Sequence, residues 1–298
     1  MTEITNINHH AGYAAIFGMP NSGKSTLLNA LLDVRLAIIS ARPQTTRRNV
    51  LGILNQPDTQ CIFMDTPGVV KPKYELHKKM IRQIELALAD ADLLLMIVDA
   101  KEKVHPVEIN LKDFNTSATR AILVLNKIDL VEKNKLLPLI KLYQEWYPFN
   151  AIIPVSALIK EGLRELQNEI QNNLPLSPPF YPKDMLTDQP EKFFVGELIR
   201  EQIFRSFHEE IPYSTEVLIK NFKERKKGKD FIEAVIFVER DSQKGILIGN
   251  KGEKLKKIGE NARRVIESFL DREVYLELHV KVNQAWRRSE EKLKYLGY

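Results

Sequence analysis

Eight residues constrain this chain more than any others: Gly18-Met19-Pro20-Asn21-Ser22-Gly23-Lys24-Ser25, with an apolar run, Ala14 to Phe17, directly before them and a stretch of helical period, Ser25 to Leu32, directly after. Glycines at the first and sixth positions let the backbone curl so that successive N–H groups face one point, and a helix N-terminus adds favourable partial charge there. Strand, glycine loop, lysine, hydroxyl and helix in this order form a phosphate cradle. Lys24 is placed to reach the β and γ phosphates of a nucleoside triphosphate, Ser25 to ligate Mg2+, and Gly18, Asn21, Ser22, Gly23 and Thr26 to complete the cradle. A chance glycine turn is the competing reading, and the rest of the chain argues against it.

Up to Leu174, short apolar runs alternate with longer segments of helical period; the runs are Ala14 to Phe17, Gln60 to Met64, Leu93 to Val98, Ala121 to Leu125 and Ala151 to Val155. Such alternation predicts an α/β fold, a doubly wound, mostly parallel sheet with helices on both faces and sites at the C-terminal ends of its strands. Three further motifs fall at those ends. Asp65-Thr-Pro-Gly68 offers a carboxylate for the Mg2+ shell and a Gly68 N–H that senses the γ-phosphate. Asn126-Lys127-Ile128-Asp129 chooses the base, because the Asp129 carboxylate accepts from guanine N1–H and N2–H2 together while adenine offers an acceptor at N1. A buried carboxylate left unpaired is costly, which rejects ATP. Ser156-Ala157-Leu158 either brings a backbone N–H to guanine O6 or is an ordinary helix N-cap.

Between the first two motifs lies a polar segment, Arg42-Pro-Gln-Thr45-Thr46-Arg47-Arg48, suited to a switch whose threonine completes the Mg2+ shell only while the γ-phosphate is present. Thr46 is the candidate and Thr45 the alternative. Val69 follows Gly68, so the water-orienting glutamine of many GTPases is missing; hydrolysis then depends on charge and backbone positioning around Lys24, Asn21, Thr46 and Gly68, or on a partner. Arg42, Arg47 and Arg48 are candidates for an arginine finger, although arginines on polar loops are usually solvated.

At 298 residues the chain exceeds what one core usually serves, and the texture changes at Pro175, Pro178, Pro179, Pro182 and Pro190. The predicted organisation is a nucleotide domain over 1–175, a proline-rich linker over 176–192 with an extended bias, and a second domain over 193–298. One cysteine, Cys61, excludes an intramolecular disulfide framework. With no signal-peptide pattern and no apolar run long enough to span a bilayer, the expected location is the cytoplasm. The net charge of +5 is shared almost evenly by the two halves, so a nucleic-acid argument has to rest on local clusters.

One cluster surrounds Ile248-Gly249-Asn250-Lys251-Gly252, a Gly-x-x-Gly turn followed by a helical stretch with Lys254, Leu255, Lys257 and Ile258. Paired glycines admit a nucleic-acid backbone, the next helix favours phosphate, and an adjoining apolar groove takes about four unstacked nucleotides. Ile248, Leu255 and Ile258 belong to that groove or to the core; Gly249, Asn250, Lys251, Gly252, Lys254 and Lys257 are the candidate RNA contacts, with Arg225, Lys226, Lys227 and Lys229 a second patch. The predicted order is helix, strands Thr215 to Phe222 and Phe231 to Val238, helix, turn, helix Glu253 to Leu270, strand Val274 to Val282 and a closing helix Trp286 to Leu296. It resembles a smaller α+β type II KH domain.

With both halves read, the chain resembles the Era family of GTPases over essentially its full length, carried by Gly18 to Ser25, Gln44-Thr-Thr-Arg47, Asp65-Thr-Pro-Gly68-Val69, Asn126 to Asp129, Pro178-Pro-Phe-Tyr-Pro182 and Gly245 to Ile258. The resemblance implies GTP hydrolysis, binding to the 3′ region of small-subunit ribosomal RNA, a role in maturing the 30S subunit, and peripheral association with the inner face of the cell membrane; a monomer is expected. It also implies that Asn21 helps hold a K+ ion in place of an arginine finger. Asn250 departs from the family, many members of which carry a basic residue in that turn. Two rivals remain: a membrane-associated signalling GTPase whose basic C-terminal face meets anionic lipid, and a P-loop kinase, against which Asn126 to Asp129 speaks.

Overall fold

The computed structural model describes residues 9–39, 42, 44–102 and 120–298. Contacts divide the chain into two compact units, Met1–Ala37 with Thr46–Lys71 and Lys79–Asp188, and Ile38–Thr45 with Pro72–Lys78 and Gln189–Tyr298.

In the first unit six strands form one sheet in the order β2-β3-β1-β4-β5-β6, with β1 His10–Gly18, β2 Val50–Gln56, β3 Thr59–Asp65, β4 Leu93–Asp99, β5 Arg120–Asn126 and β6 Ala151–Val155. Neighbours run parallel except for β2, antiparallel against β3. Strands β3 and β4 are buried along their whole length, which is why they read as unbroken apolar runs. Helices α1 Lys24–Leu32, α2 Glu75–Asp90, α3 Lys133–Trp146 and α4 Leu163–Asn173 accompany the sheet. The expected parallel sheet is present; the edge strand β2 was not foreseen. Gly52 interrupts its apolar pattern because a Cβ there would lie 2.6 Å from Leu32 and 2.8 Å from Leu28, so the glycine is what lets α1 pack down.

The proline-rich segment carries no helix or strand element between Asn173 and Glu191, but it is not a free tether. The buried Gln60 carboxamide accepts from the Phe180 and Tyr181 N–H groups at 2.7 and 2.9 Å and donates to the Tyr181 carbonyl at 2.8 Å. Leu186 accepts from Ile53 N–H at 2.8 Å, and the Phe180 ring lies 5.6 Å from that of Tyr13. One glutamine side chain thus serves as a substitute strand edge.

The second unit holds a three-stranded sheet, β7 Glu216–Lys223, β8 Asp230–Val238 and β9 Val274–Val282, ordered β7-β8-β9 with β9 parallel to β8 at the edge. Helices α5 Glu191–Ser206, α6 Ile211–Ser214, α7 Asp241–Ile248 and α8 Glu253–Leu270 complete it, with α5 and α8 packed on the sheet around Ile199, Ile203, Ile232, Ile236, Ile258 and Ile266. The predicted order holds except for the unforeseen short α6 before β7 and for the tail. In place of one closing helix there is a short 3-10 turn, Trp286–Arg288, and then α9, Glu290–Tyr295, because Ser289 is extended and caps the second piece from its side chain.

Replacing Gln60 by leucine keeps its bulk and takes the partner from two backbone N–H groups and a carbonyl. Urea unfolding is expected to show a loss of roughly 2–3 kcal/mol, and faster proteolysis within 176–188 should accompany it.

Candidate nucleotide-binding and nucleic-acid sites

Strand order places the ends of β3, β1, β4 and β5 side by side, so Asp65, Gly18, Asp99 and Asn126 line one edge of the sheet. The phosphate loop leaves β1 through Gly18 at φ 156°, where a Cβ would strike the Ile97 carbonyl at 2.3 Å; Asn21 and Gly23 follow in the left-handed region at φ 65° and 98°. Lys24 opens α1, and its ammonium donates back to the Gly18 and Met19 carbonyls at 3.1 and 2.8 Å.

Ser25, Asp65 and Thr46 meet as expected for the metal shell. Ser25 Oγ lies 2.7 Å from Asp65 Oδ2 and 2.9 Å from Thr46 Oγ1, while the other Asp65 oxygen is buried without a partner. Two hydroxyls and a carboxylate with an orphaned oxygen suit a hard divalent cation such as Mg2+. Thr45 faces elsewhere, donating from Oγ1 to the Arg42 carbonyl at 2.7 Å. Gly68 abuts the loop: a Cβ there would lie 2.8 Å from Pro20.

The base-selecting motif divides its labour. Asn126 is buried, donating from Nδ2 to the Ser22 carbonyl at 2.8 Å and accepting the Ala157 N–H at 3.1 Å, so its amide positions two loops rather than the base. Lys127, at φ 65°, donates to the Asn21 carbonyl at 2.7 Å and to Asp99 at 2.5 Å. Asp129 is the exposed member, its carboxylate oriented by the buried Ser156 hydroxyl at 2.5 Å. Ser156 does not cap a helix, since α4 begins only at Leu163. The Leu158 side chain is exposed, and the Ala157 N–H is occupied by Asn126.

The Gly-x-x-Gly turn joins α7 to α8. Gly249, Lys251 and Gly252 all have positive φ, 75°, 47° and 82°, and a Cβ on Gly252 would meet nothing within 4 Å, which leaves the backbone open to a close approach. Beside it a groove of about 570 Å³ runs between α8 and β9, with Leu255, Gly259, Leu276 and Leu278 as its apolar lining and Lys256 and Arg263 as its cations. Ile258 is in the core and Ile248 packs against it; Lys229 reaches the groove from the second patch. Asn250 and Lys251 are exposed on the turn. Lys254 and Lys257, expected beside this groove, point to the opposite side of α8, toward α5.

Residues 13–127 match the family of 50S ribosome-binding GTPases, and residues 210–287 match the KH domain. The GTPase Era of Geotalea daltonii is 45% identical over 99% of this chain and 100% of its own, and the chloroplastic GTPase ERA1 of Zea mays is 40% identical over 98% of this chain and 71% of its own. An alanine variant of Aquifex aeolicus Era bound to GDP and aluminium fluoride superposes with a TM-score of 0.92 at 40% identity, covering 97% of this chain and 99% of that one. The chain belongs to the Era family of GTPases. A second solved structure, Era with MgGDPNP and nucleotides 1506–1542 of 16S ribosomal RNA, also superposes with a TM-score of 0.92 at 40% identity, with the same coverage.

Besides the groove cations Lys256 and Arg263, two groups in these sites were not singled out from sequence. Asp99 anchors Lys127, and its signal was an acidic residue closing the apolar run of β4. Tyr275, 57% exposed on the edge strand, stacks on Phe231 at 6.0 Å, with Arg225 5.9 Å from the Phe231 ring, and so offers a free aromatic face at the groove.

Burial pushes the Asp65 carboxyl up to about 6 and pulls the Lys24 ammonium down to about 8, in each case partly offset by the other's charge. For Asp65 the folded value lies above the ordinary one of 3.8, so the associated stability is present below pH 4 and lost as pH rises through 6. Asp65→Asn keeps the Ser25 hydrogen bond without the buried charge. The nucleotide-free variant should therefore be more stable at pH 7.5 by roughly 3 kcal/mol, with a flatter melting profile between pH 4 and 6, while its Mg2+-dependent nucleotide affinity falls at least a hundredfold; a lower melting temperature contradicts this account.

Proposed function

We propose that this GTPase is a GTP-switched assembly and maturation factor of the small ribosomal subunit that binds the 3′ region of small-subunit ribosomal RNA through its KH domain. The observation that carries the reading is the match of 97% of this chain to an Era complex holding MgGDPNP and nucleotides 1506–1542 of 16S ribosomal RNA. It acts in the cytoplasm as a monomer and meets the inner face of the cell membrane from outside the bilayer; no helix among the described residues is long and apolar enough to cross a membrane.

In the nucleotide site, Ser25, Thr46 and Asp65 hold Mg2+, which neutralises phosphate oxygens when bound. Lys24 and the loop N–H groups hold the β and γ phosphates, and Gly68 presents its N–H to the γ-phosphate. Asp129 reads guanine. Val69 is half-buried against the sheet core and offers no group to orient water, so charge around the transferring phosphoryl group supplies the acceleration. Asn21, exposed beside Lys127, contributes its amide oxygen to a K+ site that takes the place of an arginine finger.

Asp129→Asn should weaken GTP binding at least a hundredfold and favour xanthosine triphosphate, whose C2 carbonyl accepts from an amide; retained preference for GTP removes Asp129 from base selection. Turnover should be several-fold faster in potassium than in sodium, and Asn21→Ala should erase that difference. Gly249→Asp with Gly252→Asp should abolish binding to the 3′ end of 16S ribosomal RNA while leaving GTP affinity unchanged. Unaltered RNA affinity in a filter-binding assay would refute the KH reading.

A further inference from the structure

Helix α8 has two polar faces, and only one belongs to the groove. Leu255, Gly259 and Arg263 line the groove against β9, whereas Lys254, Lys257, Asn261 and Arg264 form a stripe at helical spacing toward α5, across a separate cleft of about 690 Å³. From α5 come Gln202 and Arg205, and from the residue that ends it Phe207. The charge is one-sided. Among the described residues Lys257 and Arg264 have no carboxylate within ion-pair distance, Lys254 is held over the Phe207 ring at 5.7 Å, and only Arg205 is paired, at 2.8 Å with the buried Glu201.

Gln202 makes this more than a solvated basic face. Its side chain is 4% exposed, lines the cleft, and leaves its Nε2 donor buried with no hydrogen-bond partner. A buried amide left unpaired is costly, and each such exception in a native structure calls for a partner. Cations and amide donors in a concave, partly aromatic setting call for a ligand rich in acceptors and negatively charged. The cleft is also continuous with the turn: a Cβ on Gly249 would lie 2.7 Å from the Lys254 stem, so Lys254 packs on the Gly-x-x-Gly backbone while its ammonium reaches Phe207.

We infer that the cleft between α5 and α8 is a second RNA site, which binds the phosphodiester backbone of the strand where it continues past the Gly249–Gly252 turn. The inference rests on the groove being an RNA site. RNA fits better than a lipid surface because the donors line a concavity with a buried amide, not a flat exterior.

The test uses the full chain loaded with GDP and two RNAs from the 3′ end of 16S ribosomal RNA: one of about four nucleotides, matching the groove, and one that extends it to about three times that length. Lys257→Ala with Arg264→Ala should weaken the longer RNA about tenfold and make the slope of log affinity against log salt shallower by about 1.4, the value for two single-strand phosphates. The shorter RNA should be unaffected. Gln202→Met should weaken the longer RNA several-fold with the salt slope unchanged and no loss of melting temperature, since it removes a hydrogen bond and no charge. An unchanged affinity for the longer RNA in either variant overturns the inference, as does an equal loss on both lengths. Wild-type protein that binds neither RNA would sink the groove reading and this one with it. If the variants release phosphatidylglycerol vesicles yet keep the longer RNA, the cleft is a lipid contact and the inference is wrong.

Discussion

The nucleotide edge of this protein depends on the side-chain amide of Asn126. Its nitrogen is bonded to the Ser22 carbonyl in the phosphate loop and its oxygen to the Ala157 N–H in the loop after β6. A Cβ on Gly23 would lie 2.1 Å from that nitrogen, so the glycine pattern and the asparagine are two sides of one packing requirement. Lys127 repeats the device from the next position, tying the Asn21 carbonyl to Asp99. Three motifs far apart in the chain become one rigid surface because two adjacent side chains bind backbone instead of ligand.

Rigidity at this edge coexists with stored electrostatic cost. Lys24 and Asp65 are both buried, and burial moves each toward its neutral form. Their opposite charges soften the penalty without removing it. A triphosphate and a divalent cation are the partners that relieve it: one supplies anionic oxygens to the lysine, the other a positive charge to a carboxylate whose second oxygen has no partner. Affinity for the magnesium–nucleotide complex is thus written into the instability of the site without it, and function and stability pull on the same two residues.

Much of this was legible because it depended on period and punctuation. Runs such as Leu93 to Val98 have no solvated face, so they announced buried parallel strands, and the motifs at their ends followed. What escaped has identifiable causes. Strand β2 was hidden by Gly52, whose missing side chain serves α1 packing and breaks the apolar pattern. The prolines marked a segment without helix or strand, but its docking rests on Gln60, a polar residue inside a buried strand, and no local rule marks such a residue as a hydrogen-bonding hub. Choosing between Thr45 and Thr46 was beyond sequence, since adjacent hydroxyls in a polar loop differ only in which way the backbone turns them.

The lysines after the Gly-x-x-Gly turn show the same limit from the other side. Lys254 and Lys257 were read as one basic cluster with the turn while Lys256 between them was not, yet at about 100° per residue a helix must spread the three over separate faces. Lys256 goes to the groove; Lys254 and Lys257 go to the α5 side, joined there by Arg264 two turns on. Proximity in sequence to a binding turn therefore does not imply proximity to its groove. A helix that carries cations on both flanks of a buried stripe, Ile258, Ala262 and Ile266, has an outward surface fit to follow an anionic strand around itself, not merely to hold it at one point.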